Sequence, residues 1–212
     1  MATYPPTDKT TITRLAKRGS YDKEMIHSIL DEAFVCTIAF VQNNEPVQIP
    51  TGFCRVGDKL YVHGSVGSSY LRSLAENNLP VCISVTLVDG LVLARSAFHH
   101  SMNYRSVVLF SKAERVTDAQ ETYQALEVFT NKVQPGRWND IRQPNSGEWK
   151  ATLILSFTIE EVSAKVRTGG PKDDEEDYAL DIWAGVVPLK LERKDPIPDE
   201  LLKPGIALPN YL

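Results

Sequence analysis

The chain has 212 residues, of which 42% are hydrophobic and 24% are charged, and its formal net charge at pH 7 is −4. This composition is typical of a soluble globular protein with one sizeable core, and a negative chain without a basic block argues against nucleic-acid binding. No apolar run reaches the roughly 18 residues of a membrane span, and the N-terminus lacks the apolar stretch of a secretory signal. We therefore expect a cytoplasmic protein with a single domain over residues 1–212.

The three cysteines, Cys36, Cys54 and Cys82, are far apart in the sequence and lie in apolar, strand-like segments. An odd number at wide spacing favours reduced core thiols over disulfides or metal ligands.

The first half of the chain predicts one helix and then short antiparallel strands. Asp22 is a good N-cap for a helix over residues 22–33, in which Ile26 and Leu30 share one face. Turn residues then separate the segments that follow. The strands predicted there cover residues 34–41, 47–55 and 59–63.

A loop rich in glycine and serine follows His63, with the sequence GSVGSSYLRSLAENNLP. It opens a predicted helix in which Tyr70, Leu71 and Leu74 have helical spacing. The first N–H groups of a helix and its dipole attract anions, and the loop hydroxyls would add donors. The same pattern is a common helix cap, so the sequence alone leaves both interpretations open.

The most informative stretch is residues 89–116, DGLVLARSAFHHSMNYRSVVLFSKAERV. Two apolar runs flank a segment that carries His99, His100, Asn103, Tyr104 and Arg105. A hydrophobic core does not need this polarity, whereas a site for a planar, anionic ligand would use it. On extended backbone the adjacent histidines would point to opposite faces, so at most one would face a ligand.

Small side chains precede these histidines, since Ser96 and Ala97 would let a ring system approach the backbone. A tight turn or bulge would also favour small residues at these two positions. A metal site at the histidines would need further carboxylate or cysteine ligands, and none is suitably spaced. We therefore predict no metal site there, and a haem ligand remains an alternative.

The rest of the chain predicts further short strands, one more helix and a long polar loop over residues 135–149. The strands are predicted at residues 81–88, 91–94, 107–116, 152–157 and 161–167, and the helix at 118–130. An acidic run at residues 173–177 is expected to be a solvated loop. The apolar stretch 182–189, which contains Trp183, is expected to pack on the barrel or on a second subunit.

Many short strands with few helices and no βαβ alternation predict a mainly β protein, a small Greek-key barrel with flanking helices. Its core would cover about residues 22–167, and residues 168–212 would form a C-terminal tail.

The segment LVLARSAFHHSMNYRSVVLF, supported by IWAGVVPL and the glycine-serine loop, resembles the pyridoxamine-phosphate-oxidase-like superfamily of FMN-binding split barrels. Within it the chain is similar to the flavin-nucleotide-binding branch that includes nitroimidazole-resistance proteins. The resemblance covers roughly residues 22–191. It implies a six-stranded antiparallel split barrel and a homodimer with FMN at the subunit interface.

The resemblance also implies which positions contact the cofactor. A strand segment would line the ring, the serine-bearing turn would hold the phosphate, and the polar segment and the tail would flank the ring. The implied positions are Gln48, Ile49, Pro50, Thr51, His63, Gly64, Ser65, Ser68, Ser69, Arg72, Ser96, Ala97, His99, Tyr104, Arg105, Ser106 and Trp183.

The sequence departs from the oxidase pattern in three places. The Arg-Lys pair of the phosphate clamp is missing, which leaves hydroxyls and Arg72. Ser106 replaces a glutamine that would contact the flavin, and the C-terminal substrate arm is not recognisable. These departures argue against true pyridoxamine-phosphate oxidase activity.

The expected function is therefore that of an FMN-binding flavoprotein, an oxidoreductase acting on a small molecule. No nucleophile or acid-base pair is evident, which suits chemistry centred on a cofactor. The alternative is a non-catalytic module that carries a flavin or haem, and the sequence does not separate FMN from FAD or a deazaflavin.

Overall fold

Eleven strands and four α-helices make up the part of the chain that the computed structural model describes, residues 2–212. The strands are β1 (Gly19–Ser20), β2 (Val35–Gln42), β3 (Glu45–Gly52), β4 (Cys54–Val56), β5 (Lys59–Ser65), β6 (Pro80–Leu93), β7 (Ser101–Lys112), β8 (Glu114–Arg115), β9 (Thr152–Thr158), β10 (Glu161–Arg167) and β11 (Gly185–Pro188). The helices are α1 (Lys23–Glu32), α2 (Ser69–Asn77), α3 (Ala119–Val133) and α4 (Ser146–Ala151).

The strands form two antiparallel sheets. The larger sheet has the order β1-β10-β7-β6-β2-β3, with β11 paired to β6 as well, and the smaller has the order β4-β5-β9-β8. Strands distant in sequence are thus neighbours, as in Greek-key folds. The predicted class, mainly β with flanking helices, is confirmed, although the strands outnumber the six that were expected.

The main core lies between the two sheets. Ile38, Ile83 and Leu109 enter it from the larger sheet, and Leu60 and Leu155 enter it from the smaller one. Apolar residues of α1 and α2 join the same cluster. A second, smaller cluster forms where α3 covers the outside of the smaller sheet.

The strand predicted at residues 47–55 is two strands in different sheets. Phe53 separates them, and its side chain is fully buried in the main core. The chain therefore turns the corner of the barrel at this residue, a break that apolar spacing alone did not reveal.

The strands predicted separately at residues 81–88 and 91–94 are one strand, because β6 runs continuously from Pro80 to Leu93 with a bulge between Val88 and Gly90. Gly90 lies against β11, where an added Cβ would come within 3.0 Å of Val186 Cγ1. The bulge absorbs one extra residue without ending the strand.

Strand β7 is displaced from its predicted position. It begins at Ser101 and ends at Lys112, so it includes the polar segment placed between strands and stops short of residue 116. The long polar loop is also partly helical, since α4 starts there with a capping box between Asn145 and Glu148.

The acidic run is not entirely solvated. The side chain of Asp173 is fully buried (0% exposed) and accepts hydrogen bonds from the backbone N–H of Arg95 (3.0 Å) and its Nη1 (2.9 Å). Beyond it, β11 pairs with the second half of β6, so the apolar stretch around Trp183 leads into the larger sheet. The last residues fold back to α3, where Gln134 Nε2 donates to Tyr211 O at 2.7 Å.

All three cysteines carry free thiols, buried at Cys36 and Cys54 and half-buried at Cys82. Within residues 2–212, none of the helices combines the length and the apolar character needed to cross a membrane.

Candidate functional site

The outer face of the larger sheet carries small and apolar side chains. Along β2 and β6, residues alternate between the core and this face, which receives Ala39 and Cys82. A groove of about 600 Å³ follows the face and is bordered by Val41, Gln48 and Phe110. An apolar sheet face open to a groove of this size suits a flat ligand or another protein surface.

The predicted ring-lining segment lies on β3 at the edge of this face. Gln48 and Pro50 are exposed, whereas Ile49 packs against the main core. Thr51 is half-buried, and its hydroxyl has a long hydrogen bond of 3.4 Å to Gly52 O. Because side chains alternate along a strand, only Gln48 and Pro50 of this segment can contact a ligand on the outer face.

The predicted phosphate turn joins β5 to α2. The N–H of Ser68 donates to Ser65 O at 2.9 Å, and that of Gly67 donates to Ser65 Oγ at 3.1 Å. Gly64 leaves room for the buried Leu71 side chain, since a Cβ there would lie 2.7 Å from Leu71 Cδ1.

Several donors at this turn remain free within residues 2–212. Ser68 is the N-cap of α2 but its side chain makes no capping hydrogen bond. In the same described part of the chain, no hydrogen bond or ion pair engages the hydroxyl of exposed Ser69 or the guanidinium of exposed Arg72. Hydroxyls, helix N–H groups and one nearby arginine together fit an anionic group.

His63 turns away from the larger sheet. Its ring packs edge-on against Phe129 of α3, with 4.4 Å between the ring centroids. Burial lowers the pKa of His63, which favours a neutral ring at pH 7. In this structure the ring therefore packs with the smaller cluster under α3.

Arg105 is fully engaged within the protomer. Its Nε donates to Asp89 Oδ2 at 2.9 Å and its Nη2 to Asp89 Oδ1 at 2.7 Å, and the same guanidinium forms a two-point pair with Glu32 of α1. These bonds hold the pKa values of both carboxyl groups below their usual range. Sequence analysis missed Asp89 and Glu32 because neither the bulge nor the helix packing was known.

The side chains of Tyr104 and Ser106, on either side of Arg105 in the sequence, are held differently. Ser106 Oγ donates to Lys165 O on β10 at 3.2 Å. Tyr104 is half-buried, and because side chains alternate along β7 it lies on the same outer face as Ser106.

The two adjacent histidines lie in the loop between β6 and β7, next to a single 3₁₀ turn (Ala97–His99). His99 Nε2 is 3.2 Å from Asp174 Oδ2, and His100 Nδ1 is 2.9 Å from Ser96 O. Phe98, which lies between Ala97 and His99 in the sequence, is 89% exposed. The backbone is not extended here, so the expected division of the histidines between two sheet faces does not apply.

The base of this loop holds polar atoms with unmet hydrogen-bonding capacity. Arg95 Nε and Ser96 Oγ are buried without a partner. The guanidinium of Arg95 stacks on Tyr178 at 5.0 Å, and Trp183, which is 68% exposed, follows along the same tail segment. Buried polar atoms usually find a partner, so water or a ligand is expected beside them.

Arg167 is not among the predicted site residues, yet it is buried and pairs with Tyr104 in the strand register. It is 6% exposed, and its hydrogen-bond partners are neutral oxygens of Asn103, Gly169 and Gly170. Burial lowers the pKa of its guanidinium. A guanidinium buried among carbonyl oxygens retains its charge and would stabilise a nearby anion.

Apart from Ile49, Thr51, His63, Tyr104 and Arg105, the predicted site residues divide among three places in one protomer. Gln48, Pro50 and Ser106 lie on or beside the outer face, a second group surrounds the turn before α2, and a third lies at the β6–β7 loop and the tail. The second group is Gly64, Ser65, Ser68, Ser69 and Arg72, and the third is Ser96, Ala97, His99 and Trp183. Among residues 2–212, no cluster of three or more histidine, cysteine, aspartate or glutamate side chains could hold a metal ion.

Comparison with solved structures gives two close relatives. The flavocytochrome Anf3 from Azotobacter vinelandii is 38% identical with a TM-score of 0.91, and the alignment covers 98% of this chain and 96% of that one. The FAD and haem binding protein from Mycobacterium smegmatis is 40% identical with a TM-score of 0.86, over 92% of this chain and 95% of that one.

A more distant relative shares the fold. It is a protein from Bacteroides thetaiotaomicron described as a candidate 5-nitroimidazole antibiotic resistance protein, 23% identical with a TM-score of 0.59 over 70% of this chain and 86% of that one. No curated protein matches the chain.

The model of a protein family matches residues 22–166, from the N-cap of α1 to the next-to-last residue of β10. These residues include both sheets apart from β1 and β11, and they include the serine-bearing turn and the β6–β7 loop. The family is described as pyridoxamine 5'-phosphate oxidase, and this chain belongs to it.

Proposed function

We propose that this chain is a flavin-binding redox protein that acts as a homodimer and also binds haem. The observation that carries the proposal is the similarity, over nearly the whole chain, to relatives named as a flavocytochrome and as an FAD and haem binding protein. The tail and the β6–β7 loop lie within the aligned length, so the similarity extends beyond the barrel.

The turn before α2 is the proposed phosphate site. Ser65, Ser68, Ser69 and the first N–H groups of α2 offer neutral donors, and Arg72 offers one charge. A terminal phosphate ester carries about −1.5 to −2 charges at pH 7 and is best held by several cations. A dinucleotide spreads a similar total charge over two phosphates, with one charge on each, so less positive charge is needed at a single turn. We therefore favour FAD over the FMN that the family resemblance implies.

The outer face of the larger sheet is the proposed dimer interface. Small side chains such as Ala39 and Ser84 leave it flat, and the groove beside Gln48 and Phe110 is open. Two copies related by a two-fold axis would bury the same face of each. The flavin ring would then lie at the seam, flanked by Gln48 and Pro50, with Tyr104 and Ser106 beside it.

When bound, a flavin supplies hydride and single-electron exchange. The residues of this chain would hold the ring in place, exclude water from its faces and set the local charge. Arg167 adds positive potential near Tyr104, which would stabilise an anionic ligand. The thiol at the proposed seam, Cys82, has its pKa raised by burial, so it is not an activated nucleophile.

The test begins with the absorption spectrum of the purified protein and the mass of whatever is released on denaturation. We expect a flavin and a Soret band, and released FAD rather than FMN. Addition of NADH or NADPH without oxygen should bleach the flavin band. Absence of bleaching would refute the redox part of the proposal and indicate a protein that only carries its ligands. A colourless protein that takes up neither flavin nor haem would refute the whole proposal.

A further inference from the structure

The chain contains four histidines, all within the described residues. Haem iron is commonly held by the neutral nitrogen of one histidine, while porphyrin nitrogens fill the plane. The absence of a multi-residue metal cluster among residues 2–212 suits such single-ligand attachment. If haem binds as proposed above, the hydrogen bonds of the four rings indicate which one can reach the iron.

Two of the four histidines are engaged inside the protein. Nε2 of His27 lies 2.9 Å from the Tyr4 hydroxyl and 3.2 Å from Asp58 Oδ1. His63 is packed edge-on under Phe129 of α3. A haem plane could reach either ring only after the N-terminal arm or α3 had moved.

His99 is also partly engaged. Its Nε2 faces the carboxylate of Asp174 at 3.2 Å, and its ring packs edge-on against Phe98 with centroids 5.1 Å apart. Iron at this nitrogen would have to displace the carboxylate.

His100 has the arrangement that a metal-binding histidine needs. Its Nδ1 lies 2.9 Å from the carbonyl oxygen of Ser96, and because a carbonyl only accepts, Nδ1 must carry the proton. The neutral ring therefore has its lone pair on Nε2. The residue is exposed, and within residues 2–212 no hydrogen bond engages that nitrogen. Metal-bound histidines characteristically donate their second N–H to a carbonyl or carboxylate in this way.

The carbonyl that orients His100 is itself fixed. Ser96 O also accepts the N–H of His99 at 3.3 Å, which closes the 3₁₀ turn. The preceding residue, Arg95, is anchored by the buried carboxylate of Asp173 through its backbone and its guanidinium. The loop therefore presents the His100 ring from a fixed base.

Exposed apolar and aromatic side chains lie in the loop and in the segments next to it. Phe98 is 89% exposed and Met102, on the other side of His100 in the sequence, is 53% exposed. Trp183 is 68% exposed and precedes β11, whose first residue Gly185 pairs with Leu93 just before this loop. Exposed apolar groups concentrated at one place mark a binding surface, and a porphyrin is a flat, largely apolar ligand.

We propose that Nε2 of His100 is the axial ligand of a haem that lies against the β6–β7 loop, with Phe98, Met102 and Trp183 as its apolar surroundings. The inference rests on the haem part of the proposed function. It assigns His99 no role at the iron, although the two residues are adjacent.

The test compares His100→Ala with His99→Ala as the matched control, each titrated with hemin and followed by the Soret band and by electron paramagnetic resonance. We expect His100→Ala to lose more affinity than the roughly 10-fold to 100-fold that loss of an outer-shell partner costs, and to lose the histidine-ligated signal. His99→Ala should keep both. Added imidazole should restore the ligated spectrum in His100→Gly.

An unchanged Soret band and affinity in His100→Ala, or their loss in His99→Ala instead, would overturn the assignment while haem binding itself stood. A wild-type protein that binds no hemin would overturn both, and its flavin content, measured on the same sample, would still test the flavin part of the proposed function. A far-ultraviolet circular dichroism spectrum like that of the wild type in both variants would show that each is folded.

Discussion

Arg105 of β7 clamps the carboxylate of Asp89, the extra residue in the bulge of β6, through Nε at 2.9 Å and Nη2 at 2.7 Å. The same guanidinium reaches Glu32 at the end of α1. One side chain therefore ties the irregular point of the central hairpin to the first helix.

Replacing this arginine tests the clamp. Arg105→Lys keeps a positive charge but cannot make two two-point pairs, so we expect the free energy of unfolding to fall by about 1–2 kcal/mol in urea titrations. Arg115→Lys is the control, because Arg115 is exposed on β8 and has no ion pair among residues 2–212. Equal losses in the two variants would contradict a special role for Arg105.

The clamp also predicts an acid dependence. Arg105 lowers the pKa values of Asp89 and Glu32 from their ordinary 3.8 and 4.5. The stabilisation is therefore complete above those ordinary values and is lost as pH falls through the lower values of the folded state. The stability gap between wild type and Arg105→Lys should be constant near neutral pH and shrink below about pH 4. A gap that widened in acid would exclude this origin.

Arg72 offers the only full charge identified at the proposed phosphate site. Arg72→Ala should weaken flavin binding by roughly 10-fold to 100-fold, the usual range for one charge-assisted hydrogen bond, as measured by fluorescence titration of the apoprotein. Its stability should change little, since it is exposed. Arg14→Ala, in the exposed N-terminal arm, provides the control. An unchanged affinity in Arg72→Ala would place the phosphate elsewhere.

The outer face of the larger sheet can be tested with one bulky charge. Ala39→Arg would put a guanidinium at the centre of the proposed interface in both copies, so we expect a monomer in sedimentation velocity and loss of bound flavin. Cys82 on the same face should react with a thiol reagent in the variant and be protected in the wild type. Glu24→Arg, on the exposed side of α1, should remain like the wild type. A monomeric wild type would refute the interface.

Lys132 predicts an effect at alkaline pH. Its Nζ donates to Leu30 O at 2.8 Å and lies 3.7 Å from the centroid of the Phe53 ring, and burial lowers the pKa of the amine to about 8. Between that value and the ordinary 10.5, the unfolded chain binds more protons than the folded one, so this group makes stability rise with pH.

The stability of wild type relative to Lys132→Met should therefore increase from pH 8 towards pH 10, measured by urea unfolding at each pH. The control pair is wild type against Lys150→Met, at an exposed lysine of α4, and its difference should stay constant. A wild-type advantage that declined over this range would contradict the buried amine.

Helices with regular apolar spacing could be predicted from the sequence, whereas the points where a strand breaks or bulges could not. Asp22 caps α1 as expected, and α3 begins directly after Asp118, close to its predicted start, because capping and helical spacing are local signals. The break at Phe53 and the continuity of β6 through Asp89 depend on partners distant in sequence. Neither the buried Phe53 at the barrel corner nor the bulge held by Arg105 produces a periodic pattern in the sequence.

The site was less predictable than the fold for the same reason. The turn before α2 combines residues close in sequence, and the structure keeps them together as the motif indicates. The roles of Arg105 and Asp173 depend on contacts with Glu32 and Arg95, which are far away along the chain. Whether a charged residue is free or neutralised cannot be decided from its own segment.

The position of β11 has a consequence for how the polypeptide assembles. Its only strand partner among residues 2–212 is the second half of β6, and it is synthesised long after the β6–β7 hairpin. Until residues 185–188 arrive, that hairpin carries an open edge bearing Leu91 and Leu93, the kind of edge on which chains aggregate. In the folded protein the C-terminal segment closes this edge, because residues 185–188 supply its backbone partners.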